Sequence, residues 1–203
     1  MTTSIPVPDR YYEYPTYGLP VGTVRGFLSV LICSFFWILL LYPADQEIHA
    51  PLGHFFLLTL VFLAFASHPL PEDRTHMLPW LMRILFVGGS IAVVAVAVVR
   101  DPNLAAARLT PARDEVAQWP VLLGCLAGGF GVALTLRFVL GRRSEVFMTL
   151  RAWVGVIAML LLVVETLLQY VILPGLTDKN PEALKVWEGI LVAAVAGYFG
   201  SRA

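Results

Sequence analysis

WVGVIAMLLLVVETLLQYVIL, residues 153–173, holds 21 residues and a single charge, Glu165. A helix of that length rises about 30 Å, the thickness of a bilayer's hydrocarbon core. Working outward, five further apolar runs of similar character fill the chain: 24–42, 52–67, 78–99, 120–140 and 186–199. Charges or prolines bound each of them. Backbone groups cannot be left unpaired in hydrocarbon, so helices are the default. A membrane barrel would instead show short segments of alternating polarity, and these runs do not alternate. The expected fold is therefore all-α: a polytopic transmembrane bundle of about six spans over 23–203, preceded by an irregular segment 1–22.

Composition agrees. The 203 residues are 58% hydrophobic and 14% charged, with a mean hydropathy of +0.77. A soluble domain carries about 25% charged residues. Fourteen Lys and Arg balance fourteen Asp and Glu. A net charge of zero argues against a nucleic-acid partner, which needs a basic face. The partners implied are the lipid bilayer, other membrane subunits, or a second copy of the chain. Cys33 and Cys125 both lie within apolar runs, which suits packing residues better than a disulfide or metal pair.

Pro6, Pro8, Pro15 and Pro20 forbid a continuous helix in the N-terminal segment. Its Tyr11, Tyr12, Tyr14 and Tyr17 suit the headgroup level, the alternative being an irregular tail. No signal-peptide layout precedes the first run, which reads as a retained anchor. The connection PADQEIHAP (43–51) is short and acidic. The longest polar stretch, 100–119, keeps Leu104, Leu109, Val116 and Trp119 among its charges. It is expected to lie along the membrane surface or to be a solvated loop.

Six spans would put nine basic residues on one side: Arg10, Arg25, Arg74, Arg83, Arg137, Arg142, Arg143, Arg151 and Arg202. Five fall on the other: Arg100, Arg108, Arg113, Lys179 and Lys185. The bias places both termini in the cytoplasm and the chain in a bacterial inner membrane. Trp187 and Tyr198 would mark the two interfaces of the last span.

Small residues supply the packing signals. Gly124 and Gly128 form a GxxxG pair, and Gly88, Gly89 and Ser90 interrupt the third run. Both patterns let helices approach closely. The first and last hairpins also look alike. RGFLSVL (25–31) and RAWVGVI (151–157) each open with Arg, a small residue and an aromatic one, while FASH (65–68) and FGSR (199–202) close them. A parallel repeat about an axis along the membrane normal is the expectation.

Few residues suggest chemistry. A lone carboxylate deep in a span is protonated or paired, and Glu165 is followed one turn on by Gln169, with Tyr170 beside it. A relay of protons or ions competes with a plain structural hydrogen bond. By depth, His54 is the nearest ionisable candidate partner. Alone at a helix end, it is a weak ligand for haem or pigment. Arg83 and Arg137 lie near helix ends and can snorkel to headgroups. His49, His54, His68 and His76 fall on both sides and form no metal set. No nucleophile with a base, paired carboxylates, phosphate loop or CxxC occurs. No catalytic residue, metal or cofactor is expected, and the chain reads as a non-enzyme.

Two resemblances follow from particular stretches. GLPVGTVRGFLSVL (18–31) and YFGSRA (198–203) resemble the two ends of small uncharacterised bacterial membrane proteins that open GLPxGSxRALLALL and finish FYFGSR. The match departs at Thr23 and Gly26, and it brings no function with it. HAPLGHFFLLTLVFLAF (49–65), RDPNLAAARLTPARDE (100–115) and LTLRFVLGRR (134–143) are similar in layout to the small membrane region of TRAP-type solute transporters. That resemblance implies a subunit of a secondary transporter and transfers no substrate residue. The function expected from the residues themselves is an accessory or scaffolding subunit, with the transporter subunit as the alternative.

Overall fold

The computed structural model describes residues 23–42, 48–66, 77–111, 113–141, 144–175 and 181–202. The segment 1–22, expected to be irregular, lies outside these, as do Arg74, His68, His76, Arg142 and Arg143. Within them the chain is helical, with no strand. The helices are α1 (Thr23–Leu41), α2 (Leu52–Ala66), α3 (Met77–Arg100), α4 (Pro102–Leu109), α5 (Arg113–Val116), α6 (Trp119–Leu140), α7 (Glu145–Leu167) and α8 (Pro181–Arg202). Four stretches are long and apolar enough to cross a membrane: Thr23–Leu41, Trp119–Leu140, Glu145–Gly175 and Glu182–Arg202. Leu52–Leu63 and Ile84–Arg100 are shorter apolar helices.

Two helices outrun their apolar cores. The α7 helix and its continuation reach 31 residues, about 46 Å and more than the hydrocarbon thickness. It passes through a wide π turn at Leu168–Ile172 before ending at Leu173–Gly175. Pro174 lacks an N–H and crowds the carbonyl four residues back. That carbonyl belongs to Tyr170, and the Tyr42 hydroxyl donates to it instead at 3.5 Å. The α8 helix covers 22 residues, not only 186–199, because charged residues such as Glu182 and Lys185 are good helix formers that hydropathy ignores. At the far end of α6, Gly141 takes φ +79 and ψ 142, a positive-φ geometry that glycine adopts without the steric cost of a Cβ.

Paired contacts set helix directions. Gly155 of α7 lies against Val24 at the start of α1. Tyr170, in the π turn that continues α7, donates to the Phe35 carbonyl of α1 at 2.7 Å. Those two helices therefore run parallel. Trp187 meets Glu165 while Tyr198 meets Gly155, so α7 and α8 are antiparallel. Cys125 faces Gly189, Gly129 faces Ala193, and Phe130 faces Gly200, which makes α6 and α8 parallel. The core collects Leu28, Ile32, Leu57, Phe86, Leu162, Val192 and Tyr198.

The α6–α8 crossing is the closest approach. A Cβ on Gly129 would stand 2.2 Å from the Ala193 carbonyl oxygen, and one on Gly200 would stand 2.8 Å from that of Phe130. Only glycine admits such backbone contact. The expected packing pair corrects here: a Cβ on Gly124 or Gly128 would meet nothing within 4 Å. The seam runs one residue over, because successive positions on a helix point about 100° apart. In α3, Gly89 lies under Trp37, whose indole donates to Ser90 Oγ at 3.1 Å. Tyr198 is 1% exposed and buried among helices.

Candidate functional site

One stripe of α7 builds the site. Arg151, Gly155, Ala158, Leu162 and Glu165 are all buried, at spacings of three and four that keep one helix face inward. Glu165 is 0% exposed. Gln169, one turn on, donates from Nε2 to Glu165 Oε1 at 3.0 Å. The Trp187 indole of α8 donates to Oε2. An indole nitrogen can only donate, so the carboxyl accepts there and spends no proton of its own. Both observed bonds have Glu165 accepting.

Glu165 is not a solitary acid. Glu188, next to Trp187, is 9% exposed and hydrogen-bonds the backbone amide of Gly53. Gly53 opens α2, where amides lack helical partners and the helix dipole favours negative charge. A Cβ on Gly53 would come within 3.3 Å of Glu188 Oε2 and 3.2 Å of Val192 Cγ2, so the missing side chain admits α8. Glu188 also feels the charges of Glu165 and Glu115.

His54 does not pair with Glu165. Its ring stacks on Phe35, with centroids 3.8 Å apart, and neither ring nitrogen has a hydrogen-bond partner. The imidazole serves as an aromatic plate between α1 and α2. His49 is exposed, and among the described residues no group of three or more His, Cys, Asp or Glu could hold a metal. Cys33 and Cys125 are free thiols.

Arg108 is the residue that sequence reading missed. It is 2% exposed. Its Nη1 donates to the Leu39 carbonyl at 3.0 Å and to the Tyr42 carbonyl at 2.6 Å, both at the C-terminus of α1. Those carbonyls have no intrahelical partners, and the dipole there favours a cation. Its own carbonyl accepts from the Ala50 amide at 2.9 Å. The stretch around it is therefore helical at Pro102–Leu109 and docked on the end of α1, rather than a plain loop. Asp101 caps α4, accepting from Asn103 and Leu104 at 3.0 Å, and α4 packs Ala105 against Leu40 and Ala97. Arg108 and Glu165 both act electrostatically on Tyr170. Arg108, Tyr170, Glu165, Gln169, Trp187 and Glu188 thus make one polar layer near the end where α1 stops and α2 and α8 begin.

Fold and site together define a class: an all-helical chain with several apolar helices of membrane-crossing length, tied at one end by buried polar side chains. Compared with protein-family models, with curated proteins and with solved structures, the chain gives no significant match.

Proposed function

We propose that this chain is a non-enzymatic integral membrane protein of the bacterial inner membrane, acting as an accessory or scaffolding subunit of a larger assembly. The observation that carries the reading is that its deep acid is consumed internally. Both Glu165 oxygens are taken by Gln169 and Trp187 of the same chain, which fits a structural clasp between α7 and α8. What remains outward is apolar surface. Only 11% of the apolar stretch of α6 is buried, against 50% for α1, and Phe138 is 85% exposed. Apolar faces of this extent are covered by lipid or by other helices.

Six crossings with cytoplasmic termini are part of the same proposal. The parallel pairs α1–α7 and α6–α8 and the antiparallel pair α7–α8 run as six alternating spans require. The proposed repeat draws support from Val24 lying against Gly155, near the starts of both hairpins. Purification from native membranes in mild detergent tests the subunit role. A stoichiometric membrane partner or a defined homo-oligomer is expected, unchanged by Glu165→Gln. A lone monomer overturns it, as does a Glu165→Gln chain that assembles normally and has lost all cellular function. A large membrane subunit arriving with a periplasmic binding protein would favour the TRAP-type transporter subunit instead.

A further inference from the structure

Beside the α6–α8 seam lies a cavity of about 340 Å³ bounded by α6, α7 and α8, within the usual size range of ligand pockets. Its walls are almost wholly apolar, with Gly128, Val132 and Leu136 from α6, Leu150 and Val154 from α7, and Ala194 from α8. From Gly128 to Leu136 the wall rises about 12 Å along the helix. Arg151 and Ser201 supply its polar end, near the start of α7 and the finish of α8. That end is basic beyond Arg151. Arg25, Arg151 and Arg202 all act electrostatically on the Tyr198 hydroxyl, and the Arg202 guanidinium stands 6.0 Å from the centre of the Tyr198 ring.

We propose that this cavity is a phospholipid site, taking an acyl chain between α6, α7 and α8 and an anionic phosphate headgroup at Arg151. The inference rests on the membrane placement proposed above, which puts the arginine end at the cytoplasmic leaflet. Basic pockets between membrane helices on that side suit anionic headgroups. An apolar channel with the Arg151 guanidinium at one end is complementary to an amphiphile with one charged end. The glycines explain why the space is there: Gly129 draws α8 close, while Gly128 leaves the neighbouring wall without a side chain.

The test uses the full chain, stripped of lipid in detergent and given phosphatidylglycerol, phosphatidylcholine or inorganic phosphate. Retention is read by native mass spectrometry and the unfolding midpoint by thermal shift. Phosphatidylglycerol should be retained and should raise the midpoint more than phosphatidylcholine. Arg151→Gln should weaken phosphatidylglycerol retention about fivefold, the size of one Arg contact with an anionic lipid. Gly128→Leu projects into the cavity, where a Cβ meets nothing within 4 Å, and should remove retention of both lipids while the chain still folds. Arg202→Gln serves if Arg151→Gln does not fold, with a smaller loss expected. Equal retention of both lipids by the unaltered chain overturns the proposal, as does full retention by Gly128→Leu. A midpoint shift reproduced by phosphate alone also overturns it, as does a Gly128→Leu effect confined to self-association. Cysteine labelling of sidedness separates the outcomes: correct sidedness without retention sinks the lipid site alone, and wrong sidedness sinks the placement beneath it.

Discussion

Glu165 shows how a costly residue is accommodated one bond at a time. A carboxyl out of water needs partners, and here a helical neighbour and a residue from the adjoining helix each supply one N–H. Glu165→Gln should be mild, within about 1 kcal/mol, because its amide oxygen can accept from Trp187 and its amide nitrogen can donate to a rotated Gln169 side chain. Glu165→Leu strands the Trp187 indole and should cost about 1–3 kcal/mol. Thermal unfolding in detergent separates the two variants, and equal losses would contradict the clasp. The spacing of three and four from Arg151 to Glu165 and on to Gln169 was legible in the sequence. The partners from α8 were not. Trp187 reads as an interfacial aromatic until α8 is laid against α7 and α2.

At the scale of elements, the seam between α6 and α8 depends on which glycine faces the neighbour. Gly129→Ala forces a Cβ into the Ala193 carbonyl and should destabilise by about 1–3 kcal/mol through overpacking. Gly124→Ala meets no neighbour and should be neutral or stabilising by up to about 1 kcal/mol, since alanine is the better helix former. Thermal shifts on the paired variants check this, and a reversed order would contradict the assigned face. The GxxxG spacing correctly marks α6 as a helix able to pack closely. It does not reveal the face, because four glycines in α6, Gly124, Gly128, Gly129 and Gly131, leave more than one close approach open. Hydropathy places the helix centres well and their ends poorly. It misses Pro181–Lys185, where the helix continues past the apolar stretch.

Over the whole molecule, the proposed six-span arrangement fixes one sidedness. Cysteines introduced one at a time at 47 and 145, with Cys33 and Cys125 replaced by Ala, should label from opposite sides of sealed vesicles, 47 from outside and 145 from the cytoplasm. Labelling of both from one side would remove the six-span arrangement. Residue order alone implies helices, their number of apolar runs and their charge bias, because hydrocarbon permits little else for runs of this length. Those properties are local and additive along the chain. Arg108 stopping α1 from 66 positions away, the two acids gathered at the start of α8, and the cavity that ends at Arg151 depend on which helix lies against which. That choice turns on close approaches at Gly53, Gly129 and Gly200, where an added Cβ would stand 3.2, 2.2 and 2.8 Å from the neighbouring helix, and a hydropathy pattern carries no record of such contacts.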